Sequence, residues 1–205
     1  MRRRGAARDA MLGAVTHPLV IVPGIGGSGP EHWQSRWEAA LPGTVRIAPG
    51  SWDEPDLSDW VAAIERAVAS TPARPVLVAH SLGCLAVAHW AVETDAASAR
   101  IAGAFLVAPP DPAGPEFPSA AVAGGFTLPL GPLGIPATVL ASSDDPYAEL
   151  AWSAAAAAGW GAGFIDLGAR GHVNAASGLG EWPEGLQLLE DAATTARRAA
   201  GPPAA

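Results

Sequence analysis

The sequence predicts an α/β fold: one compact domain built on an about six-stranded, mostly parallel sheet with helices on both faces. Three observations carry this. Short apolar runs alternate with longer helical stretches from end to end of the chain. The runs lack polar alternation, so both faces of each strand are covered, as in parallel sheets. One run, residues 75–78, passes through a tight serine-bearing turn into an almost continuous apolar stretch from Leu85 to Val92.

Composition bounds the rest. A chain of 205 residues, 49% hydrophobic, suits a single domain with a sizeable core and is too apolar for disorder. Net charge is −8 and no lysine occurs, which argues against nucleic acid as a partner. Richness in alanine, glycine, proline and arginine points to a GC-rich, bacterial coding bias. Cys84 is the only cysteine, so no internal disulfide can form, and a reducing cytoplasm is expected. The basic start at Met1 to Arg4 resembles an export signal, but Asp9 interrupts it and the apolar piece 10–15 is too short. No stretch is suited to crossing a membrane. Residues 1–16 are expected to be a flexible tail, 17–198 the domain and 199–205 a second tail, with Met11 an alternative start.

The first strand, Leu19-Val20-Ile21-Val22, ends at Pro23 and opens into Gly24-Ile25-Gly26-Gly27-Ser28-Gly29. These glycines allow close approach of a ligand. A phosphate loop is the rival, but no Gly-Lys-Ser/Thr follows. Ser28 and Glu31 fit a capping box for the next helix, whose Trp33, Trp37, Ala40 and Leu41 share one face. Trp37 is expected in the core; His32 and Trp33, beside the glycine loop, are candidates for lining a site. A short strand at 45–48 leads to a polar loop, and Asp56 or Ser58 can cap a helix running to about Ser70, with Val61, Ile64 and Val68 inward.

The pentapeptide Ala79-His80-Ser81-Leu82-Gly83 follows. Strand, sharp turn and helix with serine at the apex form a nucleophile elbow of the α/β-hydrolase type. The helix start after Ser81 carries partial positive charge suited to an oxyanion. The Leu82 N–H and, from the glycine loop, the Ile25 N–H are the candidate donors. His80 is expected to pack, pointing away from the serine, and His89 to be a satisfied core histidine.

An apolar strand at 101–108 precedes a proline- and glycine-rich loop, 109–136, where hydrolases carry a cap. It is too short for a lid domain, which predicts a compact α/β-hydrolase fold with little or no lid. The strand at 137–140 ends in Ser142-Ser143-Asp144-Asp145-Pro146-Tyr147, and a helix follows to about Gly159. The strand at 164–167 runs into Gly171-His172-Val173-Asn174, and the final helix covers roughly 182–198.

Acyl transfer by serine needs a base, an acid to orient it and an oxyanion site. In this fold the order along the chain is serine, acid, histidine. Ser81, then Asp144 or Asp145, then His172 each follow a predicted strand, so all lie along one edge of a parallel sheet.

These segments resemble the small serine hydrolases of the retinoblastoma-binding protein 9 / YdeN type. The likeness rests on residues 22–28 and 31–33, on Ala79-His80-Ser81-Leu82-Gly83-Cys84, on 142–147, and on 171–174 with Ser177-Gly178. Ala79 and Val173 depart from the commoner pattern. The resemblance implies a lid-poor hydrolase without metal or organic cofactor. It carries the triad onto Ser81, Asp145 and His172, the aspartate being the one before Pro146. The expected activity is cleavage of a small ester, with Tyr147 joining His32 and Trp33 against the substrate. Amide or peptide cleavage by the same residues is one alternative. A protein-binding module on a hydrolase fold is another, and a cysteine hydrolase using Cys84 a third. Oligomeric state is not legible.

Overall fold

A computed structural model of the protein describes residues 17–200. The expected N-terminal tail, 1–16, lies outside the described residues, as does 201–205. The last helix runs on to Ala200, two residues past the expected boundary. Alanine is the strongest helix former, and the first breakers are Gly201 and Pro202.

Six strands form one sheet: β1 (Leu19–Val22), β2 (Val45–Arg46), β3 (Val76–His80), β4 (Gly103–Val107), β5 (Ala137–Ala141) and β6 (Gly163–Asp166). Their order is β2-β1-β3-β4-β5-β6, and every neighbouring pair is parallel. Among the described residues seven α-helices accompany them: α1 (Trp33–Ala40), α2 (Leu57–Ser70), α3 (Leu82–Glu93), α4 (Ala97–Arg100), α5 (Ser119–Ala123), α6 (Leu150–Trp160) and α7 (Pro183–Ala200).

The period-2 geometry of a strand splits each apolar run between two layers. Val20, Val22, Leu77 and Ala79 face a core built with α2, α3 and α6, including Trp60, Ile64, Leu85 and Trp160. Leu19, Ile21, Val76 and Val78 face the opposite core with α1 and α7, where Trp33, Trp37, Trp182 and Leu186 are buried. Helix α3 is apolar all round because it is buried on nearly every side, as its sequence required. Strand order reverses between β1 and β3. The helix after β1 goes to one face and the helix after β3 to the other, so their loops part and leave a crevice at the carboxyl ends.

Several local expectations change. No capping box forms at Ser28 and Glu31. The N-cap of α1 is His32, whose Nδ1 accepts the Gln34 N–H at 3.2 Å, while the Ser28 hydroxyl donates to Gln34 Oε1 at 2.7 Å. Asp56 caps α2 as expected, but the inward face is Trp60, Ala63, Ile64, Ala67 and Val68, with Val61 at its margin. The segment 109–136 contains α5 and is pinned to the core. Ala121, Phe126, Leu133 and Ile135 are buried, and Phe126 meets Trp60 edge-on at 5.4 Å between ring centroids.

Candidate active site

Ser81 stands at the end of β3 with φ 54° and ψ −128°, a conformation L-residues rarely adopt. The turn survives because its surroundings overdetermine it. The Ser81 N–H donates to Val107 O on β4 at 2.9 Å, and the Cys84 N–H closes back on Ser81 O at 2.9 Å. The glycine at position 83 is sterically required: a Cβ there would overlap Val22 O and lie 2.5 Å from Pro23 O. Ala79, the departure from the commoner elbow, is a fully buried strand residue whose methyl joins the core.

His172 reaches Ser81 from the loop after β6. Its Nε2 lies 2.8 Å from Ser81 Oγ. Its Nδ1 lies 2.9 Å from both carboxylate oxygens of Asp145. A carboxylate only accepts, so Nδ1 carries a proton and Nε2 is the ring nitrogen that faces the serine hydroxyl. Asp144 turns elsewhere. Its Oδ1 accepts the Ser142 hydroxyl and the Gly171 N–H, each at 2.7 Å, and these bonds hold its carboxyl below the usual range. The two neighbouring aspartates thus separate into one that meets the imidazole and one that ties the histidine loop to the β5 loop.

The glycine loop lies across the crevice. Ser35 Oγ donates to Ser28 O at 2.6 Å, and the Arg46 guanidinium donates to Gly27 O and Ser28 O. The Gln34 amide donates to Val22 O at 3.3 Å and Val78 O at 3.0 Å, tying the ends of β1 and β3 together. Among the described residues, no protein acceptor takes the Ile25 or Leu82 N–H. A cavity of about 520 Å³ opens between this loop and the elbow. Ile25, His32, Ser81, Leu82, Tyr147 and His172 are among its walls, with Pro110 and Pro118 the contributions of the 109–136 segment. A comparable cavity of about 500 Å³ at the amino ends of the strands has an apolar wall without histidine, cysteine or serine.

Of the residues expected against substrate, His32 and Tyr147 line the cavity and Trp33 does not. Trp33 is 1% exposed and packs on Trp37 and Trp182, with its indole N–H on Val173 O at 2.8 Å. As the first residue of α1 it faces the core. His32 is buried and neutral: burial first, then the Arg46 charge, lower its pKa to about 4. His80 does not point away from the site as expected, but donates from Nε2 to His172 O at 2.9 Å. His89 is satisfied by Thr127 O at 3.1 Å and half buried. Cys84 is sealed in the core with its thiol on Val107 O at 3.3 Å, and burial pushes its pKa up, against any role as a nucleophile. Among the described residues no group of three or more His, Cys, Asp or Glu is placed to hold a metal ion, and no helix is long and apolar enough to cross a membrane.

Sheet order, elbow and crevice together define an α/β-hydrolase. Within that class the chain belongs to the serine hydrolase family, whose profile matches residues 19–191, and it is of the YdeN type. It is 30% identical to a YdeN-like hydrolase from Pectobacterium atrosepticum, with TM-score 0.76 over 95% of this chain and 97% of that one. The ydeN gene product of B. subtilis shares the fold at 20% identity and TM-score 0.72, over 87% of this chain and 100% of that one. The esterase domain of a Rhodothermus marinus protein shares it at 16% identity and TM-score 0.60, over 89% and 87%. A comparison with curated protein sequences finds no match.

Proposed function

We propose that the protein is a carboxylesterase that cleaves a small ester through an acyl-enzyme on Ser81. The observation that carries the reading is the unbroken hydrogen-bonded line Ser81–His172–Asp145, at 2.8 and 2.9 Å, at the mouth of a cavity of small-molecule size. His172 Nε2 takes the hydroxyl proton as Ser81 Oγ attacks the ester carbonyl carbon. Asp145 holds the imidazole and stabilises the imidazolium that forms. The Ile25 and Leu82 N–H groups receive the negative charge on the carbonyl oxygen. Collapse breaks the bond to the alcohol oxygen, which leaves with the proton from His172. A water molecule then attacks the acyl carbon, gives its proton to the same nitrogen, and releases the acid and free Ser81.

The substrate side is assigned to His32 and Tyr147, whose ring centroid lies 4.4 Å from that of His172. Ile25, Leu82, Pro110, Pro118 and Ala175 supply the apolar part of the lining, which suits a short or apolar acyl group. The reading needs no cofactor, membrane or nucleic acid. It includes a cytoplasmic, bacterial setting, supported by a composition with one unpaired cysteine.

A fluorophosphonate probe tests the chemistry directly. The wild-type protein should label, with the adduct on Ser81, and Ser81→Ala should lose both labelling and p-nitrophenyl ester hydrolysis by on the order of a thousandfold or more. Full turnover by folded Ser81→Ala would end the proposal. Faster turnover of a matched anilide than of the ester would move the assignment to an amidase.

A further inference from the structure

We infer that His80 is a positioning residue for the reaction: with Ser81 it forms a two-point clamp on His172. This rests on the triad reading above. Residues 80 and 81 are consecutive, and each bonds the same partner. His80 Nε2–H holds the His172 carbonyl oxygen at 2.9 Å, and Ser81 Oγ meets the His172 ring at 2.8 Å. Peptide link, clamp bond, histidine and serine contact form a closed ring. With His80 bonded, the backbone of the base is tied directly to the backbone of the nucleophile, while Asp145 orients the imidazole.

The base needs such a hold. Its backbone is flanked by Gly171 at φ 57° and Val173 at φ 49°, the second in the left-handed region that a β-branched residue avoids. Besides the Asp145 contact to its ring, the backbone of this loop is anchored on either side of His172. Gly171 N–H goes to Asp144, Arg170 N–H to Ser142 Oγ, and Val173 O to the Trp33 indole. The His172 carbonyl is reached by His80 alone among the hydrogen bonds of the described residues.

The clamp is also kept neutral. A carbonyl can only accept, so the His80 proton sits on Nε2. The ring is buried beside that of His172, at 4.9 Å between centroids, and beside that of His32, at 4.7 Å. Groups facing it are therefore these two imidazoles and the Trp33 indole, with no carboxylate bonded to it. Burial first, then the neighbouring His172 and His32 imidazoles, push its pKa well down. A neutral donor steadies His172 without repelling the imidazolium formed during attack, which a cation in its place would disfavour.

Three variants separate a hydrogen-bonding role from simple packing. Gln places an amide N–H about where the imidazole Nε2–H lies; Asn is too short; Leu fills space without donating. His80→Asn and His80→Leu should lower kcat and the rate of fluorophosphonate labelling about 10- to 100-fold, with KM within about twofold. His80→Gln should stay within about threefold of wild type. Wild-type rates in both Asn and Leu variants would overturn the clamp, and so would an equal loss in all three, which would mean ring packing alone. If Leu does not fold, the Asn and Gln pair decides. Failure of the triad reading is distinct: there the wild-type protein itself would not label on Ser81.

Discussion

Replacing Gly24 by alanine probes how closely the glycine loop abuts Ser81, the proposed nucleophile. Gly24 is not in the positive-φ region, so alanine suits its backbone and the effect is purely steric. The added Cβ would lie 2.8 Å from Ser81 Cβ, 3.2 Å from Ser81 Oγ and 3.3 Å from His80 O. Ordinary contact begins at 3.4 Å, so Ser81 Cβ or the loop must yield by 0.6 Å, the difference of those two distances. A displacement of that order at the reacting atom costs up to about a hundredfold in rate, because the serine leaves the line to His172 Nε2. Stability suffers less. Overpacking costs about 1–3 kcal/mol, offset by about 0.4–1 kcal/mol from the stiffer unfolded chain. At about 2–4 °C per kcal/mol, the melting temperature should fall by only several degrees. The assay is kcat/KM on a p-nitrophenyl ester beside a thermal melt. Gly159→Ala, in α6 with no atom within 4 Å of the new Cβ, serves as the control that leaves activity unchanged. Wild-type kcat/KM in Gly24→Ala would refute the reasoning, and so would a loss explained wholly by unfolding.

Three further outcomes are expected. Asp145→Asn should cut kcat on the order of a thousandfold or more with little change in melting temperature, because its partner is the His172 Nδ1–H. Asp144→Asn should do the reverse, lowering the melting temperature through the bonds to Ser142 and Gly171; turnover and melts on both variants check the pair. Acid should destabilise the fold before the carboxylates titrate. His32 falls from 6.5 to about 4 on folding, so the unfolded chain takes the proton first. That stability is whole above pH 6.5 and is lost as pH falls towards 4, by about 3 kcal/mol. His80 acts in the same direction. Urea midpoints across this window should fall for the wild type and fall less for His32→Gln; equal slopes would remove His32 from the explanation.

The order of strands and helices was legible because each strand of a parallel sheet, covered on both faces, is a short apolar run. The residues of the candidate site were legible for a related reason. Parallel strands all deliver their carboxyl ends to one edge, so Ser81, the Asp144-Asp145 pair and His172, each just past a strand, had to converge. The elbow glycine was legible as well, since only a residue without Cβ fits against Val22 O. Side-chain direction was not. Whether Asp144 or Asp145 meets the imidazole depends on the path of two loops relative to one another, and spacing alone left both open; the family resemblance chose Asp145. Trp33 was misread because it directly follows His32, which lines the cavity, and the start of α1 fixes which of the two turns inward. The Arg46 grip on the glycine loop joins β2 to the loop after β1 through an ordinary-looking arginine. His80 packs as read, against the His32 and Trp33 rings, but the direction in which it points was not legible. Next to a nucleophile it looks like packing, and its partner is a backbone oxygen 92 positions away that no side-chain pattern encodes. Sequence determines which groups reach the sheet edge; tertiary structure decides which of them touch, because contact across loops is fixed by backbone torsions that leave no periodic trace.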